Sequence, residues 1–364
     1  MENKARLIAF YLPQFHPIPE NDEWWGKGFT EWTNVGKAKK LFKRHDQPKV
    51  PADLGYYDLR VDETRKAQAD MARDHGVEGF CYWHYWFGNG KRLIEQPFNE
   101  VVKSGEPDFP FCLAWANDSW MAKLWNSEGT CQKEILQEQL YLGEDDYIQH
   151  FNELLPAFKD QRYIRVNNKP LFMIYKPLEF PDVSYFIQLW QKLAIENGLE
   201  GIYFVGQTPN IRKRDIILSK GFDAINVVRL FEFVKYRSFK KKAVQKIKRK
   251  VFSLPFVFEY KDAMKYFVGK EDSDIKVHPS IIPNWDHTPR SGLGGHVYLN
   301  SNPELFGTHV SEVLEKIKDK PEEERIAFIK SWNEWGEGNY LEPDLKHGLS
   351  YLKKLKSVLK DFQK

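Results

Sequence analysis

A length of 364 residues with 42% hydrophobic and 29% charged side chains suits a globular chain with a sizeable core, whether built as one unit or two. A net charge of +3 gives no basic field for nucleic acid. The three cysteines (Cys81, Cys112 and Cys131) and ten histidines show no metal-ligand spacing, so neither a disulfide framework nor a metal or other cofactor is expected.

The apolar segment Leu7–Leu12 near the N-terminus is too short for a signal peptide and has no cleavage site after it. No run approaches the roughly 18 apolar residues of a membrane span. A cytoplasmic location is the expectation.

In chain order, short apolar runs alternate with helical patterns. Strands are predicted at Arg6–Leu12, Gly79–Trp83, Phe111–Ala114, Leu171–Tyr175, Ile202–Val205, Ala224–Val228, Ser280–Pro283 and Arg325–Ser331. Helices are predicted at Glu63–His75, Glu144–Phe158, Val183–Asn197, Ile211–Ser219, Pro303–Lys318 and His347–Phe362. Eight strands separated by helices point to parallel βαβ units and to a single (β/α)8 barrel spanning residues 1–364. An open doubly wound sheet is the competitor. It calls for a glycine-rich turn after the first strand, where this chain has Pro13-Gln14-Phe15-His16-Pro17.

Two long loops stand out, residues 13–62 after the first strand and the insertion 229–279 after the sixth. Lys235–Lys250 within the second holds nine Lys/Arg and no acid, with Val244, Ile247 and Val251 as an apolar stripe. A solvated helix face and a basic amphipathic helix against an anionic membrane or a phosphate-bearing substrate both fit this pattern. Asp272-Ser-Asp274 reads as a polar surface loop.

Chemistry concentrates after the last strand, in Ser331-Trp-Asn-Glu-Trp-Gly-Glu-Gly338. Glu334 and Glu337, three apart in a turn flanked by glycines, can both face the mouth of a barrel. Glycosidic cleavage needs such a pair, one protonated and one ionised. Trp332 and Trp335 beside them would desolvate the pair and couple its titration. Other strand ends bring His84 within an aromatic run, Trp115 and Asn117, Tyr175, and Trp285-Asp286, while Trp32 lies in the first long loop. With 12 Trp and 15% aromatic residues, these groups suggest a cleft in which rings stack on sugars. Side chains in a strand alternate between two faces, so each run places about half of its members in the cleft.

The segments Phe10–His16, Trp25–Val35, Gly79–His84, Leu113–Asn117, Pro170–Tyr175, Trp285–Arg290 and Ser331–Gly338 together resemble the WbsX-type proteins of bacterial surface-polysaccharide loci. That group is in turn similar to glycoside hydrolase family 99. The resemblance implies a retaining mechanism on α-linked mannose-like glycans. In it Glu334 is the base on the sugar 2-hydroxyl and Glu337 is the general acid. Asn333 would orient substrate, and Tyr11, Trp115 and Tyr175 would line the donor-sugar subsites. The expected partner is an oligosaccharide or a lipid-linked glycan, with peripheral membrane contact through residues 235–250. A nucleotide-sugar glycosyltransferase of polysaccharide biosynthesis and a non-catalytic glycan-binding barrel are the alternative functions.

Overall fold

The apolar runs of this chain are nearly continuous because parallel strands wrapped in helices are covered on both faces. The computed structural model describes residues 4–125 and 131–363. Its barrel strands are β1 (Arg6–Tyr11), β2 (Gly79–His84), β3 (Phe111–Trp115), β4 (Lys169–Ile174), β5 (Tyr203–Thr208), β6 (Ala224–Val227), β7 (Val277–Ile281) and β8 (Ile326–Ile329). Each pairs in parallel with the next, and β8 pairs with β1, so the sheet closes on itself as a (β/α)8 barrel.

Every predicted strand overlaps a barrel strand. The seventh begins three residues earlier than expected, at Val277, because His278 and Pro279 interrupt its apolar run. Inside the barrel that interruption is matched by partners. His278 Nε2 and the Tyr203 hydroxyl lie 3.2 Å apart, and Asn226 Nδ2 donates to Ser280 Oγ at 3.0 Å.

The covering helices follow local rules. Glu144–Lys159 opens with three acids that oppose its N-terminal dipole. It packs on Val183–Glu196, where Trp190 Nε1 donates to Tyr147 O at 3.0 Å. Pro303–Ile317 starts with proline behind an Asn302 cap, whose Oδ1 accepts from Leu305 N at 3.0 Å, worth about 1 kcal/mol. The closing helix Ser350–Phe362 buries Leu352, Leu355 and Leu359. A further helix, Gln96–Ser104, carries no long apolar pattern and escaped the sequence reading. Among the described residues, no helix is long and apolar enough to cross a membrane.

The excursions all leave the ends of strands and build one face. Residues after β1 form two short helices, Pro19–Trp25 and Glu31–Lys37. After β3 comes an antiparallel pair, Trp120–Trp125 with Cys131–Gln137, which the sequence did not signal. The segment after β6 contains the helix Phe239–Phe252 and a strand, Phe256–Glu259, paired in parallel with His296–Leu299. These pieces enclose a second small core around Phe233, Phe258, Tyr260, Phe267 and Tyr298. Asp272 is not on the surface. It is fully buried and accepts from Arg229 Nη1 at 2.7 Å, while Asp274 pairs with Arg214. Cys81 and Cys112 are buried free thiols on neighbouring strands. The Cys131 side chain lies outside the described groups.

Candidate active site

Beyond β8 the chain doubles back. Asn333–Glu334 pairs antiparallel with Asn339–Tyr340 around the tight turn Trp335–Glu337. Ser331 Oγ donates to Asn339 O at 2.7 Å and closes the base of this hairpin. Asn333 clamps it to the end of β1, accepting from Leu12 N at 2.7 Å and donating to Leu12 O at 3.0 Å. The backbone of Glu334 is thereby fixed from both sides. Gly336 is required by close approach, since a Cβ there would collide with the Glu31 carboxylate that Arg290 holds in place.

That approach brings a third carboxylate to the pair. Arg290, on the short helix Thr288–Ser291 after β7, donates through Nη2 to Glu334 Oε2 at 3.1 Å. Its Nη1 reaches Glu337 Oε1 at 2.7 Å and its Nε reaches Glu31 Oε1 at 2.9 Å. Trp83 Nε1 donates to Glu334 Oε1 at 3.1 Å. Lys330 Nζ stands 3.7 Å from Glu337 Oε2, and His287 Nε2 stands 3.6 Å from Glu337 Oε1. One guanidinium therefore spans both catalytic candidates.

These groups line a cleft of about 650 Å³ at the strand ends. Its walls include Trp25 and Phe29 from the segment after β1, Trp83 and Tyr85 at the end of β2, Trp120 and Met121 from the hairpin after β3, and Tyr175 just past β4. Trp25 and Tyr175 are 42% and 38% exposed, which leaves flat apolar faces open to a sugar ring.

The charge balance separates the two carboxyls. Burial opposes ionisation of both. For Glu334 that burial, reinforced by the charge of Glu337, outweighs Arg290 and Lys330, and its pKa is raised. For Glu337 the burial cost is exceeded by Lys330, Arg290 and His287, and its pKa falls well below the usual carboxylate range. Without substrate, the cations around Glu337 favour its ionised form, and burial beside that charge favours the protonated form of Glu334. Burial also works against the charge on Arg290, but Glu31, Glu337 and Glu334 hold it firmly protonated.

Of the predicted site residues, Glu334, Glu337 and Tyr175 line the cleft. The others do not, and strand parity explains most of the difference. Trp83 and Tyr85 point inward, so His84 points outward, where its Nε2 lies 2.8 Å from that of His150 in the core. Trp115 is likewise turned outward, donating to Trp86 O at 3.0 Å, and Ala116 takes the cleft position. Tyr11 faces the helix Asp62–Asp74 and donates to Gln68 Oε1 at 2.7 Å. Asn117 ties β3 to β4, its Oδ1 accepting from Lys176 N at 2.8 Å. Trp285 packs beside Phe231 and His287. Asp286 is buried and accepts from His45 Nε2 at 2.9 Å, Gln47 Nε2 at 2.8 Å and Thr288 Oγ1 at 2.6 Å. Trp332 is enclosed against Phe80, and Asn333 serves the clamp described above. Trp32 and Trp335 pack on each other behind the turn. Sequence reasoning placed Trp83, Tyr85 and Trp120 only within aromatic runs at strand ends, and it gave no role to Glu31, His287, Arg290 or Lys330. Arg290 stood within a quoted segment, but no local pattern gave it three acidic partners.

Behind the turn lies Glu342, buried, accepting from Trp335 Nε1 and Gln68 Nε2 at 2.6 Å and from the Tyr57 hydroxyl at 2.8 Å. Burial pushes its pKa up to about 7 despite those donors. The folded state thus binds this proton more tightly than the unfolded chain. The resulting stability is complete below the ordinary carboxylate pKa and is lost as pH rises toward 7, by up to about 3 kcal/mol. Glu342→Gln is expected to flatten that decline in urea melts taken across the acidic range. Parallel curves for the variant and the parent would refute it.

Comparisons with known proteins agree with this architecture. The profile of the family described as Glycosyltransferase WbsX matches residues 7–355. Two proteins named uncharacterized protein WxcX, from two strains of Xanthomonas campestris pv. campestris, are each 35% identical over 362 residues. The match covers 98% of this chain and 50% of theirs, so the chain spans about half the length of these relatives. An endo-alpha-mannosidase of family GH99 from Bacteroides thetaiotaomicron, solved with bis-tris-propane, superposes with a TM-score of 0.60 at 15% identity, covering 98% of this chain and 97% of that one. A structure described as a glycoside hydrolase-like protein gives 0.62 at 14% identity, with 98% and 94% covered. At these identities the two structures share the fold.

Proposed function

The chain belongs to the WbsX glycosyltransferase family, and from that premise we propose that it is a carbohydrate-active enzyme that cleaves or remodels α-linked mannose-like glycans of a bacterial surface polysaccharide. The observation that carries this reading is the carboxylate pair, Glu334 and Glu337, held by one arginine in an aromatic-walled cleft. The likeness of the fold to a mannosidase and the family description support the same class.

In the proposed reaction Glu334 takes the proton of the sugar 2-hydroxyl, and that oxygen attacks the anomeric carbon from the face opposite the leaving group. The glycosidic bond breaks as Glu337 gives its proton to the departing oxygen, leaving a 1,2-anhydro sugar. Glu337 then takes a proton from water or from an acceptor hydroxyl, whose oxygen opens the three-membered ring at the anomeric carbon. Glu334 returns the first proton to the 2-oxygen. Two inversions give net retention. A mannose-configured 2-hydroxyl lies trans to an α leaving group and can make this attack, whereas a glucose-configured one cannot. For Glu337 to act as the acid, bound sugar must draw Arg290 or Lys330 away from it.

The unliganded charge balance favours a second reading in which the roles are exchanged, with Glu334 as the acid and Glu337 as the ionised partner. Product analysis after incubation with mannans and with lipid-linked oligosaccharides tests the reaction class. Free reducing sugar means hydrolysis, a lengthened glycan means transfer, and release of a nucleotide from a sugar nucleotide means a glycosyltransferase of the usual kind. No change in any of these substrates would sink the enzymatic proposal.

A further inference from the structure

The helix Phe239–Phe252 presents an apolar side to water. Its inner side is tied down. Arg249 lies over the Phe256 ring, 3.4 Å from the centroid, and Gln245 Nε2 donates to Val257 O at 3.5 Å. Just before the helix, Arg237 covers Phe258 at 4.9 Å. At about 100° per residue, Gln245 and Arg249 mark one side of the helix. Ile247 and Val251 lie opposite them with Val244 on the adjoining flank, and these three are 61%, 65% and 50% exposed. Lys240, Lys242 and Lys246 are exposed on the same helix.

We propose that this face docks on a bilayer containing anionic lipid and so lays the cleft end of the barrel against the membrane. A merely solvated helix would put its lysines at the centre of the outer side. Here Val244, Ile247 and Val251 form an exposed apolar strip at spacing i, i+3 and i+7, with Lys240 continuing it at the N-terminal end, the arrangement of a helix lying in the headgroup region with its apolar side toward the acyl chains. Of the nine Lys/Arg between Lys235 and Lys250, Arg237 and Arg249 are spent on the inner side, and the exposed Lys240, Lys242 and Lys246, with no acid in this stretch, select an anionic surface. Lysine stems can lie along the apolar strip while their ammonium groups stay at the headgroups. The position also fits. The helix follows β6, so it stands at the strand-end face that carries the cleft. Arg249 Nη2 donates to Leu293 O at 3.4 Å, close along the chain to Arg290. A hollow of about 490 Å³ lies under the tied-down side, where Gln245 and Arg249 face Phe42, Arg44 and Leu299. This docking goes beyond the proposed reaction and does not depend on it.

The test is co-sedimentation of the whole chain with vesicles of phosphatidylcholine, alone or mixed with phosphatidylglycerol. Binding to the mixed vesicles only, weakened by salt, is expected. The double variant I247S/V251S keeps every charge and should lose about tenfold or more of that binding, with an unchanged thermal melt. Equal binding to both vesicle types overturns the proposal. So does full binding by the serine variant, which would mark a contact with polyanions through charge alone. Self-association in light scattering that vanishes with the serine substitutions would assign the face to a second copy of the chain and also overturn it.

Discussion

Glu337→Gln is expected to lose roughly 10²- to 10⁴-fold in turnover of a natural glycan, yet to release the first equivalent of phenol from an aryl α-mannoside at close to the parent rate, with later turnovers slowed for want of the base that activates water. Glu334→Gln should lose a comparable factor on both substrates, because the 2-hydroxyl must be deprotonated whatever departs. The contrast isolates the acid, since both side chains touch the same arginine and either amide disturbs Arg290 to a similar degree. The reverse pattern would establish the exchanged roles that the unliganded electrostatics favour. Wild-type rates for both variants on both substrates would remove the pair from the chemistry altogether. The pH profile adds an independent reading. If Glu334 is the base, it must be ionised, and its raised pKa moves the acid limb of kcat/KM upward from the ordinary carboxylate value. Because the two groups titrate as a pair, the limb belongs to the pair until the Glu337→Gln profile is compared with it.

Most of the barrel was legible because its strands other than β7 are largely buried apolar runs, followed by helical patterns or long excursions. What the runs could not convey was parity. In β2 the alternation sends Trp83 and Tyr85 inward, yet the neighbouring His84 has the more suggestive chemistry and is spent on the core. The same one-residue difference separates Trp115 from Ala116. Asn333 and Asp286 are conspicuous polar groups in aromatic surroundings, and both serve as internal ties that hold loops in place. The carboxylate pair was readable because its members are close in sequence and confined to one glycine-flanked turn. The arginine that joins them was not, since Glu31 and Arg290 are 259 residues apart and meet only when the barrel closes.

That closure gives Arg290 a large expected effect on stability. Arg290→Met leaves Glu31, Glu334 and Glu337 together without their shared cation, and their side chains are only 1%, 6% and 15% exposed. Removing one partner of a buried ionic group costs about 3–5 kcal/mol. Lys330 and the 24% exposure of Arg290 itself place this case toward the lower end. The sign with pH follows from the carboxylates. In the parent, the depressed pKa of Glu337 contributes stability above the ordinary carboxylate value, and that contribution is lost as pH falls through the folded value. In Arg290→Met the desolvated acids shift upward instead, so the variant loses stability as pH rises through the carboxylate range. The gap between variant and parent in urea melts should therefore be widest near neutrality and should narrow in acid. Arg290→Lys should keep much of the stability through its charge, yet lose at least about tenfold in turnover, because an ammonium cannot reproduce the three-way geometry of the guanidinium. Adding Glu31→Gln to Arg290→Met removes one of the stranded charges and should recover part of the lost stability. A variant as stable as the parent at neutral pH, with an unchanged pH dependence, would mean that the three carboxylates do not rely on Arg290.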